Sequence, residues 1–327
     1  MSTFKEIRGT LIKSVSSDPV NPEVGEIWYN STIGSLKGYV NLGGAWASGG
    51  NLNTARSDLG GAGTQTAALA FAGNPGTSPF VTNSTEEYNG SGWTTGGNVA
   101  TARRNFGSAG TQTAAFGAGG IISPGVRFSN ATEEYGGTSW TAGGNLNTGR
   151  DILAGAGTLT AGLAIGGYVP AGNTAATEEY NGSAWTAGGN LNTARRNSGS
   201  AGTQTAGLVH GGDQGGLSSA VEEYNGSAWT NVTSLPAGRE GQGGSGLQTS
   251  ALVFGGYTPP ITASTLQYDG TNWTTTGNLS TGRAAIGSAG TDKTSGLAFG
   301  GATPTVVTTT EEFTDPLIIT QTLTTST

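Results

Sequence analysis

A recurring tryptophan limits, more than any other feature, what this chain can fold into. Trp46, Trp93, Trp140, Trp185, Trp229 and Trp273 follow one another at intervals of 47, 47, 45, 44 and 44 residues. After each comes a stretch of Gly, Asn and Thr and then an arginine: Arg56, Arg103, Arg150, Arg195, Arg239 and Arg283. A small-residue run, a short turn, an apolar segment ending in Gly, a variable stretch and, in most units, Glu-Glu-Tyr complete the repeat. Residues 85–93 read TEEYNGSGW and residues 177–185 read TEEYNGSAW. A period of about 45 residues is that of a propeller blade, whereas TPR and ankyrin units recur at about 33. Helical repeats also need unbroken 3.6-residue patterning, and glycine interrupts these segments too often.

Each unit divides into four short strands, called a to d here. In the fourth repeat they are expected at 197–202, 206–211, 220–224 and 228–232. Ala201-Gly202-Thr203-Gln204 and Asn225-Gly226 supply the turns between a and b and between c and d. Six a-b-c sets follow the six arginines, but the strand around Trp46 precedes the first set. It is therefore expected beside 311–313, completing the last blade from the N-terminal side and removing the open edge of the ring. The reading is all-β: a six-bladed β-propeller with four antiparallel strands per blade. Strand a, rich in Gly, Ala and Ser, suits the crowded position nearest the axis.

These residues resemble the kelch repeat. A glycine pair closes the second strand, a Tyr and a Trp follow a few residues apart, and an arginine opens the first strand. Gly211-Gly212, Tyr224, Trp229 and Arg239 carry the match within one stretch, and the resemblance covers about 41–313. The first unit has Ala72-Gly73 in place of the glycine pair, Gln267 replaces the second Glu of the fifth, and Phe313 replaces Tyr in the last.

Composition narrows the chemistry. Gly accounts for 60 of the 327 residues and only 11% of residues are charged, so regularly placed aromatics point to a folded chain rather than a disordered one. There is no Cys and a single His, His210, which leaves neither a disulfide framework, nor a thiolate metal site, nor a triad base. No metal or cofactor is expected. No apolar run approaches the ~20 residues of a membrane span, and the N-terminus lacks the pattern of a signal peptide. A soluble protein without membrane insertion is expected. Net charge is −7, and it lies in 41–327, because Lys5, Arg8, Lys13 and Lys37 cancel Glu6, Asp18, Glu23 and Glu26. An acidic domain without basic clusters argues against nucleic acid.

Two carboxylates per repeat invite an acid–base reading. Neighbouring strand residues point to opposite faces, however, so Glu86 and Glu87 diverge and one of each pair is expected to meet an arginine between blades. Six-fold repetition is the mark of architecture, and no catalytic residues are assigned. The alternative, in which the six arginines ring the axial opening and attract an anion, is the weaker reading for an acidic chain. The Tyr and Trp rings are expected in blade-to-blade packing, and His210 as a packed or surface imidazole. A sugar oxidase of Tyr–Cys type is excluded without Cys, and regularly repeated arginines fit a sialidase triad poorly.

The stretches between strands b and c differ in every unit: 74–83, 121–130, 168–175, 213–219, 257–263 and 302–307. Loops that vary on a regular scaffold usually carry recognition. Phe80, Phe128, Tyr168, Asp213 and Tyr257 are the candidate ligand-binding residues, because aromatic faces beside Asn, Thr and Asp suit a glycan or a protein surface.

Outside the repeats, 1–40 form an extended arm, and 25–39 read as strand, turn, strand, with Trp28 and Tyr29 as attachment residues. This segment resembles short motifs of bacteriophage tail-fibre and other virion proteins. The stretch containing Asp18-Pro19 and Asn21-Pro22 is expected to be extended and unable to fold alone. In the tail, 314–327, the apolar 317–320 are expected to add a strand to a blade or to a neighbouring subunit. The resemblance implies a non-enzymatic, homo-oligomeric virion component that is assembled in the host cytoplasm and joined to other virion proteins by its arm. It would act as a tail-fibre or receptor-binding propeller for a host glycan or protein. A capsid decoration protein and a cellular kelch-like interaction scaffold are the alternatives.

Overall fold

The computed structural model describes residues 12–19, 26–40, 43–122, 125–315 and 319–323. Every regular element among them is a strand. The chain divides into two compact units. One is Ala45–Thr314, and the other is built from the residues on either side of it.

The larger unit holds six four-stranded antiparallel sheets, numbered I to VI in chain order, in a propeller-like arrangement. Their first strands are Gly60–Gly63, Gly107–Thr111, Ala154–Thr158, Gly199–Thr203, Gly243–Leu247 and Gly287–Asp292. Strand b is buried at nearly every residue, as in Ala68–Phe71, because it lies inside its sheet and is covered on both faces. Its sequence is accordingly a continuous apolar run rather than an alternating one. Strand d buries little beyond its tryptophan, as in Trp93–Thr95. In sheet VI the fourth strand is Ala45–Ser48, which pairs with Thr310–Thr314 and sets Trp46 opposite Phe313.

Sheet IV has its strands at Gly199–Thr203, Ala206–His210, Val221–Tyr224 and Trp229–Val232. The first starts two residues later than expected. Asn197 has a left-handed φ of 55°, and its N–H goes to the carbonyl of Ile152 rather than into a ladder. For the same reason no repeat arginine opens a first strand. Arg195 precedes Gly199 by four residues, and the same spacing holds for the other five.

The residue two before each first strand is Asp58, Asn105, Ile152, Asn197, Gly241 or Ala285, and all six have φ between 52° and 62°. Their backbones form a circuit of hydrogen bonds. Asn105 N–H donates to Asp58 O (3.1 Å), Ile152 to Asn105 (2.7 Å), Asn197 to Ile152 (3.0 Å), Gly241 to Asn197 (3.0 Å), Ala285 to Gly241 (2.7 Å) and Asp58 to Ala285 (3.1 Å). The left-handed conformation turns each N–H out of its own sheet and toward the preceding unit.

The second residue of the first strand alternates between Gly and Ser: Gly61, Ser108, Gly155, Ser200, Gly244, Ser288. A Cβ on Gly61 would meet the Ser288 carbonyl oxygen at 2.3 Å, so adjacent first strands approach too closely for two side chains. Each serine spans the gap instead, with Ser200 Oγ donating to Gly155 O (2.8 Å) and Ser288 Oγ to Gly244 O (2.8 Å). The first strands line a cavity of about 190 Å³, and the circuit residues line one of about 110 Å³.

In the smaller unit Lys13–Val15 runs parallel to Ile27–Asn30, which pairs antiparallel with Ser35–Val40. Ile319–Leu323 adds to the other edge of Ser35–Val40. The strand–turn–strand reading of 25–39 is thus a hairpin here, turning at Gly34 (φ 65°). One expectation changes, that for the tail. The segment ahead of the hairpin supplies a strand, anchored by Asp18, which accepts from Trp28 Nε1 (3.0 Å), Asn30 Nδ2 (2.8 Å) and Lys37 Nζ (2.6 Å). The tail strand joins this hairpin and not a repeat sheet, because Ser35–Val40 offers it an open edge. Asn21-Pro22, Leu317 and Ile318 lie outside the described residues.

Candidate functional site

With six copies of one unit, polar groups that recur belong to the scaffold, and those that occur once mark where a function can sit. The recurring set is taken up by the scaffold, although the buried Nε of each repeat arginine has no hydrogen-bond partner. The first Glu of each pair meets the arginine of its own repeat: Arg56–Glu86 at 3.0 Å, Arg103–Glu133 at 2.7 Å, Arg150–Glu178 at 2.9 Å, Arg195–Glu222 at 2.5 Å and Arg283–Glu311 at 3.1 Å. The same carboxylate accepts a backbone N–H from the segment after strand d, as from Asn192 to Glu222 (2.7 Å). Burial pushes each guanidinium below its ordinary value, against the pull of its glutamate.

The second Glu serves the next sheet. Tyr135 donates to Glu87, Tyr180 to Glu134, Tyr224 to Glu179 (2.5 Å), Tyr268 to Glu223 (2.9 Å) and Tyr88 to Glu312. Burial and the carboxylate together raise Tyr88, Tyr135 and Tyr180 to about 12. Each strand-d tryptophan also reaches the preceding sheet, as Trp229 Nε1 does to Thr177 Oγ1 (3.0 Å). Trp273 donates to the Thr233 carbonyl (2.9 Å) instead, because Val221 stands at the threonine position. All six repeat arginines are at most 3% exposed, which removes the reading in which they ring an opening and draw in an anion.

Among groups that occur once, His210 is fully buried, and its imidazole is pushed down to about 3, first by burial and then by Arg239 and Arg195. Gln242 Nε2 lies 3.2 Å from its Nδ1. The ring fills the strand-end position taken by Phe71, Phe254 and Phe299 in other sheets, between Gly199 and Gly244. It is a packed side chain.

The variable loops hold the other such group. The Arg127 guanidinium lies 4.9 Å from the Phe128 ring centre and 5.0 Å from that of Tyr168. Arg196 lies 4.8 Å from the Tyr168 ring centre. Arg127 Nε donates to buried Asp151 (2.6 Å), Arg196 donates to Asp213 (2.6 Å), and Asn173 Nδ2 donates to the Asp213 carbonyl (2.8 Å). Backbone bridges Asp151–Tyr168 and Arg196–Asp213 fix the loop bases that carry these groups. Burial pushes the Asp213 carboxyl up, but the Gly215 N–H, then Arg196 and the Gly216 N–H, together hold it below its ordinary value.

Three of the five candidate loop residues, Phe128, Tyr168 and Asp213, thus fall in one cluster. Phe80 (48% exposed) and Tyr257 (41% exposed) make no ring or cation contact with it among the described residues. Arg127, Asp151 and Arg196 were not anticipated, and the doubled arginine at Arg195-Arg196 is no signal by itself, because Arg103-Arg104 repeats it outside the cluster. Of the arm candidates, Trp28 is fully buried and Tyr29 is 41% exposed. Among the described residues no three His, Asp or Glu side chains stand together as a metal site, and no helix is long and apolar enough to cross a membrane. No protein-family model matches the chain, and no curated protein matches it.

Proposed function

We propose that this chain is a non-enzymatic recognition and assembly protein, a six-bladed, kelch-like β-propeller closed in its last blade by Ala45–Ser48. The hydrogen-bond circuit through Asp58, Asn105, Ile152, Asn197, Gly241 and Ala285 supports six blades around one axis. The observation that carries the functional reading is the division of labour among polar residues. Recurring carboxylates and guanidiniums are consumed by blade architecture, while the loop cluster around Tyr168 occurs once and leaves Arg127 and Arg196 partly exposed.

The setting we propose is a bacteriophage particle, with the propeller as a tail-fibre or receptor-binding head for a host-surface glycan or protein. This rests on the likeness of 25–39 to virion motifs. Exposed Ile12, Tyr29 and Ile33 on the smaller unit suit docking to another virion subunit. Quantitative mass spectrometry of purified particles tests the setting. A low copy number relative to the major shell protein supports the tail. A number matching the shell lattice makes the chain a decoration protein, and absence overturns the virion reading.

A further inference from the structure

We infer that the Arg127–Phe128–Tyr168–Arg196–Asp213 cluster binds a saccharide that carries an oxyanion, either a carboxylate or a sulfate ester. This rests on the reading of the variable loops as a recognition surface and names the chemistry of the ligand.

Cation–ring stacking uses the face of a guanidinium and leaves its edge, with up to five N–H donors, for an oxyanion. Both guanidiniums lie over rings, Arg127 within 5.0 Å of two ring centres and Arg196 4.8 Å from one. Each is fixed further by one carboxylate, and the side chains stay 49% and 32% exposed. Their donors are therefore ordered before a ligand arrives, which lowers the entropy lost on binding.

The carboxylates add a second requirement. Asp151 is fully buried, and its Oδ1 has no hydrogen-bond partner. The equivalent positions in the other units are Ser57, Arg104, Arg196, Glu240 and Ala284, so a buried carboxylate here is not a demand of the blade. Its burial is offset by the ion pair with Arg127, which anchors that guanidinium. Asp213, partly exposed, offers a carboxylate for hydroxyls beside the arginine donors for an oxyanion. An acidic sugar presents oxyanion and hydroxyls close together on one rigid ring, whereas an acidic peptide carries its carboxylates on flexible side chains away from its N–H donors. A neutral sugar would need bare ring faces, which the guanidiniums cover.

Titration calorimetry of the full chain with galacturonate oligomers, dextran sulfate, neutral dextran and poly-glutamate tests this. The expected result is binding of one or both acidic saccharides that weakens with salt, the stronger arm telling carboxylate from sulfate. Arg127→Gln and Arg196→Gln should each weaken it about tenfold, the loss of one charge-assisted contact. Phe80→Ala and Tyr257→Ala should bind as the parent does, and urea unfolding should show all four variants folded. Equal binding of neutral dextran, binding of poly-glutamate as tight as the saccharides, or full affinity in Arg127→Gln overturns the inference. If no saccharide binds but loop substitutions abolish particle adsorption, this inference falls and the recognition reading stands. If the loops are also dispensable for adsorption, both fall.

Discussion

Sheets IV and V are neighbours built from the same repeat, yet they treat the same buried arginine in opposite ways. Arg195 has Glu222 at 2.5 Å, and Glu222 also takes the N–H of Asn192. Arg239, only 3% exposed, has Leu266 where the glutamate would stand and Pro236 where the N–H would be. Its guanidinium keeps the counterparts of two carbonyl contacts that Arg195 also makes, here to Gly255 O (3.2 Å) and Ser264 O (3.4 Å), adds Ser264 Oγ (3.0 Å) in place of the glutamate, and burial alone lowers it to about 10. The carboxylate and the donor it served are both missing, so neither is left orphaned. The boundary of sheets V and VI repeats the lesson. Phe313 lacks the hydroxyl that other units give to a glutamate, and Gln267 replaces that glutamate and donates to the Lys293 carbonyl (2.8 Å). What these sites require is matched hydrogen bonding, and charge is one way to supply it.

The largest expected effect comes from making sheet IV half-resemble sheet V. Glu222→Leu strands both a buried cation and the Asn192 N–H, and should cost about 3–5 kcal/mol in urea unfolding. Adding Asn192→Pro removes the orphaned donor and should recover about 1 kcal/mol. If the double variant is less stable than the single, the matching argument fails.

Alkaline pH probes the tyrosine contacts between sheets. An unfolded tyrosine ionises near 10, while Tyr88, Tyr135 and Tyr180 are held to about 12. Their contribution is therefore complete below pH 10 and is lost as pH rises from 10 to 12. A phenolate absorbance titration should show these residues ionising together with unfolding. Early ionisation in a still-folded protein would contradict the contacts.

A smaller effect is expected from Tyr224→Phe, which leaves Glu179 without its hydroxyl donor and should cost about 1–2 kcal/mol. Combining it with Glu179→Gln copies the Phe313/Gln267 arrangement and should cost less than the sum of the two single variants. Strict additivity would break the analogy.

The smallest effect concerns the circuit. Ile152 is a β-branched residue at φ 52°, where Asn105 and Asn197 stand in other units. Ile152→Asn should stabilise the larger unit by about 1 kcal/mol, read as a higher urea midpoint. A loss of stability would mean that packing of the isoleucine outweighs its backbone strain.

The repeat made much of the larger unit legible. Strand order within a unit, the apolar second strand, the tight turns and the pairing of the Trp46 strand with the last unit all follow from contacts that recur at one spacing, and six copies average out local noise. That one Glu of each pair meets an arginine was readable for the same reason, but not which one, nor that the pair lies within one repeat rather than between blades. The circuit was not, because Asp, Asn, Ile, Asn, Gly and Ala share a backbone conformation and not a side-chain type. Where the tail pairs was also hidden, since a short apolar strand carries no address for the edge it joins.

Sequence alone therefore determined the all-β repeat architecture and the dominance of scaffold roles among its charges. Tertiary structure decided which unrepeated residues meet. Arg127, Asp151, Tyr168, Arg196 and Asp213 come from three different repeats, and their contact depends on how irregular loops cross between sheets. Periodicity records strand pairing within a unit, because that pairing is enforced by local hydrogen bonding and by burial every second residue. It leaves no trace of a loop path, which is set only once the blades have packed side by side.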